Sequence, residues 1–159
     1  MSEYTRDAEN EIPLAGYAMI MGAFTLAFTP LLVRAAARGA LPRNVETRDL
    51  VLMGVATHKL TRILTRDWVT SPLRAPFTQY VKSEGAGEVQ EKSRGHGLRR
   101  AVGDLLTCPF CTGPWVASAL TALFVARPRV ARTIAGVLGV VAISDFAHQL
   151  YAGARKLSG

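Results

Sequence analysis

Two stretches without a charged side chain, Pro13 to Val33 and Leu105 to Ala126, constrain this chain more than anything else in it. They are 21 and 22 residues long. As helices rising about 1.5 Å per residue, each would extend about 31–33 Å, the thickness of a hydrocarbon core of about 30 Å. A soluble chain of 159 residues rarely carries two such runs. The sequence therefore predicts an all-α, helical integral membrane bundle of three or four spans, with amphipathic helices at the interface.

The net charge of +7 could suggest nucleic acid. The basic residues instead flank the apolar runs, at Arg34, Arg38, Arg43 and Arg48, at Arg127, Arg129 and Arg132, and at Arg155 and Lys156. Loops held at an anionic lipid surface show this pattern. No aromatic side chains interleave with the basic ones, so nucleic acid is excluded as a partner. The lipid bilayer is the expected partner, together with other membrane proteins or a second copy of the chain through small-residue helix faces.

Along the chain, residues 1–13 are acidic and expected to be mobile, and lack the basic start of a cleavable signal. Residues 14–159 read as a single membrane-embedded domain. Its helices are predicted at about 14–36, 48–66, 98–126 and 130–154, with Pro30 kinking the first. Thr47 is a plausible N-cap for the second helix, with Asp49 in its first turn. That helix carries His58, Lys59, Arg62 and Arg66, and is expected to be buried or partly inserted.

Residues 67–97 are expected to form a polar loop. Pro72 and Pro76 favour extended chain or turns there, a short helix could lie around Phe77 to Val81, and Ser83 to Gly97 reads as a flexible surface loop. With four spans and an outside N-terminus, both arginine-rich loops fall in the cytoplasm, as the positive-inside rule prefers. With three, the turn at Arg127 to Arg132 falls outside.

Both cysteines of the chain lie in Thr107-Cys108-Pro109-Phe110-Cys111-Thr112-Gly113-Pro114-Trp115. A helix starting at Gly113 with Thr112 as N-cap would offer only 14 residues to Ala126, about 21 Å. The cysteine turn should then dip into the membrane, or the helix should continue through it with a kink. Asp145 interrupts the last helix, and an intramembrane carboxylate normally faces the bundle interior and pairs. Lys59 and Arg62 are its natural partners. Lys59, Arg62, Asp67 and Asp145 thus form a candidate intramembrane charge network, read as static packing in preference to an ion path.

Two signatures resemble the bacterial membrane family called domain of unknown function 1360. The first is Ala56-Thr57-His58-Lys59-Leu60-Thr61-Arg62 through Asp67, followed by Ser71-Pro72-Leu73-Arg74-Ala75-Pro76-Phe77. The second is Arg94-Gly95-His96-Gly97 followed by Leu106-Thr107-Cys108-Pro109-Phe110-Cys111 through Trp115. The match spans about Asp49 to Ala152. It implies a small multi-pass membrane protein, some relatives being named for sporulation, and it implies no reaction.

The cysteines leave three readings open. As a redox pair, they would exploit a helix N-terminus that favours the first thiolate, but there is no second pair to relay electrons. As half of a zinc site they need further ligands, and His96 and His58 are the plausible additions apart from His148. No other cofactor is expected. In the simplest reading the cysteines are turn residues or a structural disulfide, with Pro109, Gly113 and Pro114 setting the turn and Trp115 anchoring it at headgroup level. The sequence by itself thus favours a non-enzymatic assembly component, with a membrane thiol-redox or metal-binding protein as the rival, and assigns no catalytic residue.

Overall fold

The computed structural model describes residues 12–42 and 44–158. Residues 1–11 of the acidic N-terminal stretch lie outside the described residues. Among the described residues are six α-helices and one two-stranded sheet. The helices are α1 (Leu14–Ala37), α2 (Thr47–Thr65), α3 (Ser71–Arg74), α4 (Gly97–Thr107), α5 (Pro109–Ala126) and α6 (Pro128–Ser158). The strands are β1 (Thr78–Gly85) and β2 (Glu88–Ser93). The all-α membrane-type architecture expected from the charge-free runs is the one found. α1, α5 and α6 are each long and apolar enough to cross a membrane.

The long helices alternate in direction. Near its start α1 meets α4, where Gly16 lies against Ala101 and Gly97. Further along, Phe24 and Phe28 of α1 meet Trp115 of α5 edge-on, with ring centroids 5.2 and 6.0 Å apart. α5 turns into α6 through Arg127 alone. α2 packs against both α5 and α6. Its first turn meets the start of α6 through Asp49 and Arg132, and its last turn meets β2 through Arg62 and Glu88. One end of the bundle therefore gathers the arginine-rich segments, and the other carries the hairpin, α4 and the cysteines.

Small residues let the helices close in. The core is Ala56, Val116, Leu120 and Ala135, flanked by Leu52, Met53, Leu60, Leu64 and Leu138. Alanine at two of four central positions permits close backbone approach, which drives helix association where lipid tails are as apolar as leucine. The outward faces are apolar as well, with Leu26 on α1 77% exposed and Val140 on α6 69% exposed. Side chains like these suit contact with acyl chains.

Three expectations need correction. The polar loop over residues 67–97 holds ordered structure: a 3-10 turn at Trp68–Thr70, the short α3, and the antiparallel pair β1–β2. The stretch around Phe77 to Val81 enters a strand, and Ser71 to Arg74 is helical where turns were expected. The hairpin closes through Gly85, Ala86 and Gly87 at φ of 81, 49 and 80°, a left-handed path that glycine adopts without penalty.

The second correction concerns the helix expected over 98–126, which breaks at Cys108. Cys108 has extended backbone and caps α5, Pro109 takes the first helical position, and Pro114 lies inside the helix. α5 thus has 18 residues, about 27 Å, close to a hydrocarbon core. The cysteine turn can sit at the membrane boundary instead of deep within it. Third, α2 is capped by the backbone of Glu46, with no side-chain cap bond, and Thr47 is its first residue.

α4 seats the hairpin on the bundle through Gly103. A Cβ there would lie 2.5 Å from the Phe77 carbonyl oxygen and 2.7 Å from Ser93 Cβ. Backbone cannot yield as a side chain does. Gly103→Ala is expected to cost about 2 kcal/mol by overpacking, read as a lower thermal midpoint in detergent. An unchanged midpoint would show that the hairpin is not held at this contact.

Candidate functional site

Cys108 and Cys111 are joined in a disulfide, with Cα atoms 5.2 Å apart. The local sequence explains the placement. Cys108 stops α4 and caps α5, so its side chain points at the free N–H groups of a new helix. Cys108 Sγ accepts a hydrogen bond from the Cys111 N–H at 3.2 Å, and the Cys108 carbonyl accepts from the N–H groups of Cys111 and Thr112. Thr112 donates its hydroxyl back to the Leu105 carbonyl at 2.6 Å, clamping the junction between α4 and α5. Phe110 projects outward, 91% exposed. Cys111 is exposed and Cys108 half-buried. Gly113 is half-buried in the second turn of α5, and Pro114 is exposed.

An apolar groove of about 390 Å³ runs beside the disulfide. α1, α4 and α5 form its walls, with Cys111, Pro114 and Trp115 on one side and Ile20, Met21 and Phe24 on the other. Its polar residues include Tyr17 and Asp104. The Tyr17 hydroxyl donates to Asp104 Oδ2 at 2.8 Å, and Ser93 donates to Oδ1 at 2.5 Å. Trp115 is half-buried against α1, so its ring joins two helices.

His96 does not join the cysteines. It precedes the first turn of α4, whereas Cys108 follows the last, about 16 Å further along the axis. With both sulfurs in the disulfide neither is available as a thiolate ligand. Among the described residues no group of three or more His, Cys, Asp or Glu side chains is placed to hold a metal ion.

Lys59, Arg62, Asp67 and Asp145 all line a second cleft, of about 630 Å³, with His58, Glu88 and His148. Lys59 Nζ lies 2.7 Å from Asp145 Oδ2. Arg62 turns instead to Glu88 of β2, through Nε at 3.0 Å and a second contact from Nη2. Asp67 pairs with Glu88 through backbone, and its carbonyl receives Arg74 Nη2 at 3.0 Å. Two pairs therefore replace one network, and Glu88, from a stretch read as loop, supplies the missing carboxylate.

Sequence reasoning missed two further pairs. Arg74 is 1% exposed and binds Glu91 Oε2 through Nε at 2.6 Å. Arg132 holds Asp49 in a forked contact, Nε to Oδ1 at 2.9 Å and Nη2 to Oδ2 at 2.7 Å. Asp49 lies outside the three candidate spans. The hydrogen bonds from Arg132 hold its carboxyl below the usual carboxylate range, against the opposing effect of burial. Acidic residues in a helix's first turn are a legible signal, although its partner, 83 residues away, is not.

The fold and the site together describe a small helical membrane-type protein with a disulfide at the start of one candidate span and a hairpin-capped end. The chain belongs to the DUF1360 family, described as proteins of unknown function, whose model matches residues 52–151. It is also 32% identical over 101 residues to the sporulation protein YjcA of Bacillus subtilis (strain 168), covering 58% of this chain and 86% of that protein. No solved structure matches the chain.

Proposed function

We propose that this chain is a membrane-anchored thiol–disulfide exchange protein, with Cys108 and Cys111 as its redox pair. The supporting observation is the disulfide at the N-terminus of α5, where Cys108 Sγ receives the Cys111 N–H. A helix N-terminus and a main-chain donor both favour thiolate, which makes Cys108 a good leaving group. A staple role has less to recommend it. On the chain-entropy account a loop of four residues stabilises by about 2 kcal/mol, against about 4.7 for a loop of a hundred. The clamp from Thr112 to Leu105 already fixes the same junction.

The reading requires the cysteines to face the extracytoplasmic side, where disulfides persist. Basic residues stand at both ends of the bundle, Arg34, Arg38, Arg48, Arg127, Arg129 and Arg132 at one and Lys82, Lys92, Arg94, Arg99, Arg100, Arg155 and Lys156 at the cysteine end, so the positive-inside rule does not supply that side. The name of the relative makes spore formation the first process in which to look for a phenotype.

The non-enzymatic assembly reading keeps one observation of its own. β1 pairs with β2 on one side, and seven of its eight residues are exposed. Such an edge suits strand addition by a membrane partner or a second copy.

Alkylation kinetics separate the two. After reduction of the full chain in detergent, Cys108 is expected to react with iodoacetamide about tenfold faster than Cys111 at pH 7. The pair should also re-form its disulfide in a glutathione buffer, with Cys111→Ser holding a glutathione adduct on Cys108. Equal, slow alkylation with no re-formation would leave the assembly reading standing.

A further inference from the structure

We infer that the apolar groove beside Cys111 takes a lipid-borne quinone, which reoxidises the cysteine pair. The inference rests on the thiol-exchange reading and adds the electron acceptor. With two cysteines in the chain, electrons from the reduced pair have no second intramolecular pair to enter. They need a two-electron acceptor that is not a thiol of this protein.

The groove meets the demands of such an acceptor in four ways. Its volume of about 390 Å³ falls within the usual range for small-molecule sites. Two of its walls, α1 and α5, are candidate spans, so a prenyl tail could lie along them in lipid. Phe24 and Trp115 stand edge to face at 5.2 Å and supply aromatic walls for a flat ring. Tyr17 and Asp104 bring a phenol oxygen and a carboxylate that can accept from quinol hydroxyls. A sulfur-bearing residue, apolar and aromatic side chains and hydrogen-bond acceptors share one groove. A bare acyl chain would use none of the polar partners.

The chemistry balances without another reagent. A substrate dithiol attacks Cys108 Sγ, breaking the disulfide and releasing Cys111 thiolate. The second substrate thiolate then forms the substrate disulfide and releases Cys108 thiolate. In the return step Cys111 thiolate adds to the quinone ring. Cys108 thiolate attacks Cys111 Sγ, re-forming the disulfide and expelling the two-electron-reduced ring. That ring carries two protons away as quinol. The sum is one dithiol and one quinone giving one disulfide and one quinol.

The test uses the full chain in detergent, reduced with dithiothreitol, desalted without oxygen and mixed with decylubiquinone, whose fully substituted ring resists stable arylation. We expect one quinol per chain as the disulfide returns, at a rate that saturates with quinone. Thr25→Trp, which fills the lipid side of the groove, should lower the quinone-dependent rate at least tenfold relative to the same variant's reoxidation by glutathione. A rate that stays linear in quinone and is equal in Thr25→Trp would overturn the assignment, leaving the groove to acyl chains. Absence of quinol would overturn it equally. Inertness toward glutathione as well would instead bring down the thiol-exchange reading beneath it.

Discussion

Arg74→Met is expected to cost about 3–5 kcal/mol, because it leaves the Glu91 carboxylate buried without its cation. All five guanidinium N–H donors are used. Nε binds Glu91, Nη1 binds the Leu64 carbonyl and Thr70 Oγ1 at 2.9 and 2.6 Å, and Nη2 binds the Asp67 carbonyl and Ser71 Oγ at 3.0 and 3.1 Å. One side chain thus ties the end of α2, the 3-10 turn, α3 and β2 together. Lysine has three donors and no fork, so Arg74→Lys should recover less than half of the loss.

The readout is amide exchange across residues 64–93, together with the thermal midpoint in detergent. Arg74→Met should raise exchange in that segment while α5 and α6 stay protected. Arg74→Met with Glu91→Leu should recover much of the loss, since it removes the stranded carboxylate as well. A loss below 1 kcal/mol in Arg74→Met alone would mean that the hairpin seats without this hub.

Arg74 also shows where sequence reading stops. Between Pro72 and Pro76 it looks like one more basic loop residue. Its burial follows from five acceptors, four of which lie within ten residues, between the end of α2 and the start of α3, where hydropathy registers nothing. The candidate spans α1 and α5 were legible because each carries a run of about twenty residues without charge, which a helix can satisfy in lipid within its own backbone. The hairpin was not, because β1 and β2 mix Lys and Glu with few apolar residues and show no clean alternation. A signal was nonetheless present: Gly85-Ala86-Gly87 lies between Tyr80-Val81 and Val89, and glycine-flanked turns between β-formers announce hairpins. The helix start at Pro109 was missed, although proline favours the first helical position. Pro114 could claim the same role five residues later, and only the extended backbone of Cys108 decides between them. The groove beside Cys111 depends on how α1 leans against α4 and α5, which no local pattern encodes.

Asp145→Leu is expected to cost about 3 kcal/mol, because it leaves the largely buried Lys59 ammonium without its carboxylate. Lys59 lies ten residues beyond Asp49 on α2, about 15 Å along the axis from the Asp49–Arg132 pair at the arginine-rich end. That is about halfway along the bundle, and its side chain is 13% exposed. Asp145 lies thirteen residues beyond Arg132 on α6, about 20 Å along, so the lysine reaches toward the hairpin end to meet it. Removing the carboxylate leaves a largely buried ammonium unpaired between α2 and α6. Lys59→Met with Asp145→Leu should return to within about 1 kcal/mol of the parent, because removing both partners leaves no unpaired charge between α2 and α6. Proton flux in vesicles should be the same for the parent and Asp145→Asn, as a packing pair requires. If the double variant stays unstable and Asp145→Asn abolishes a flux that the parent shows, then Lys59, Asp145 and the histidines of that cleft carry protons instead of holding α2 to α6.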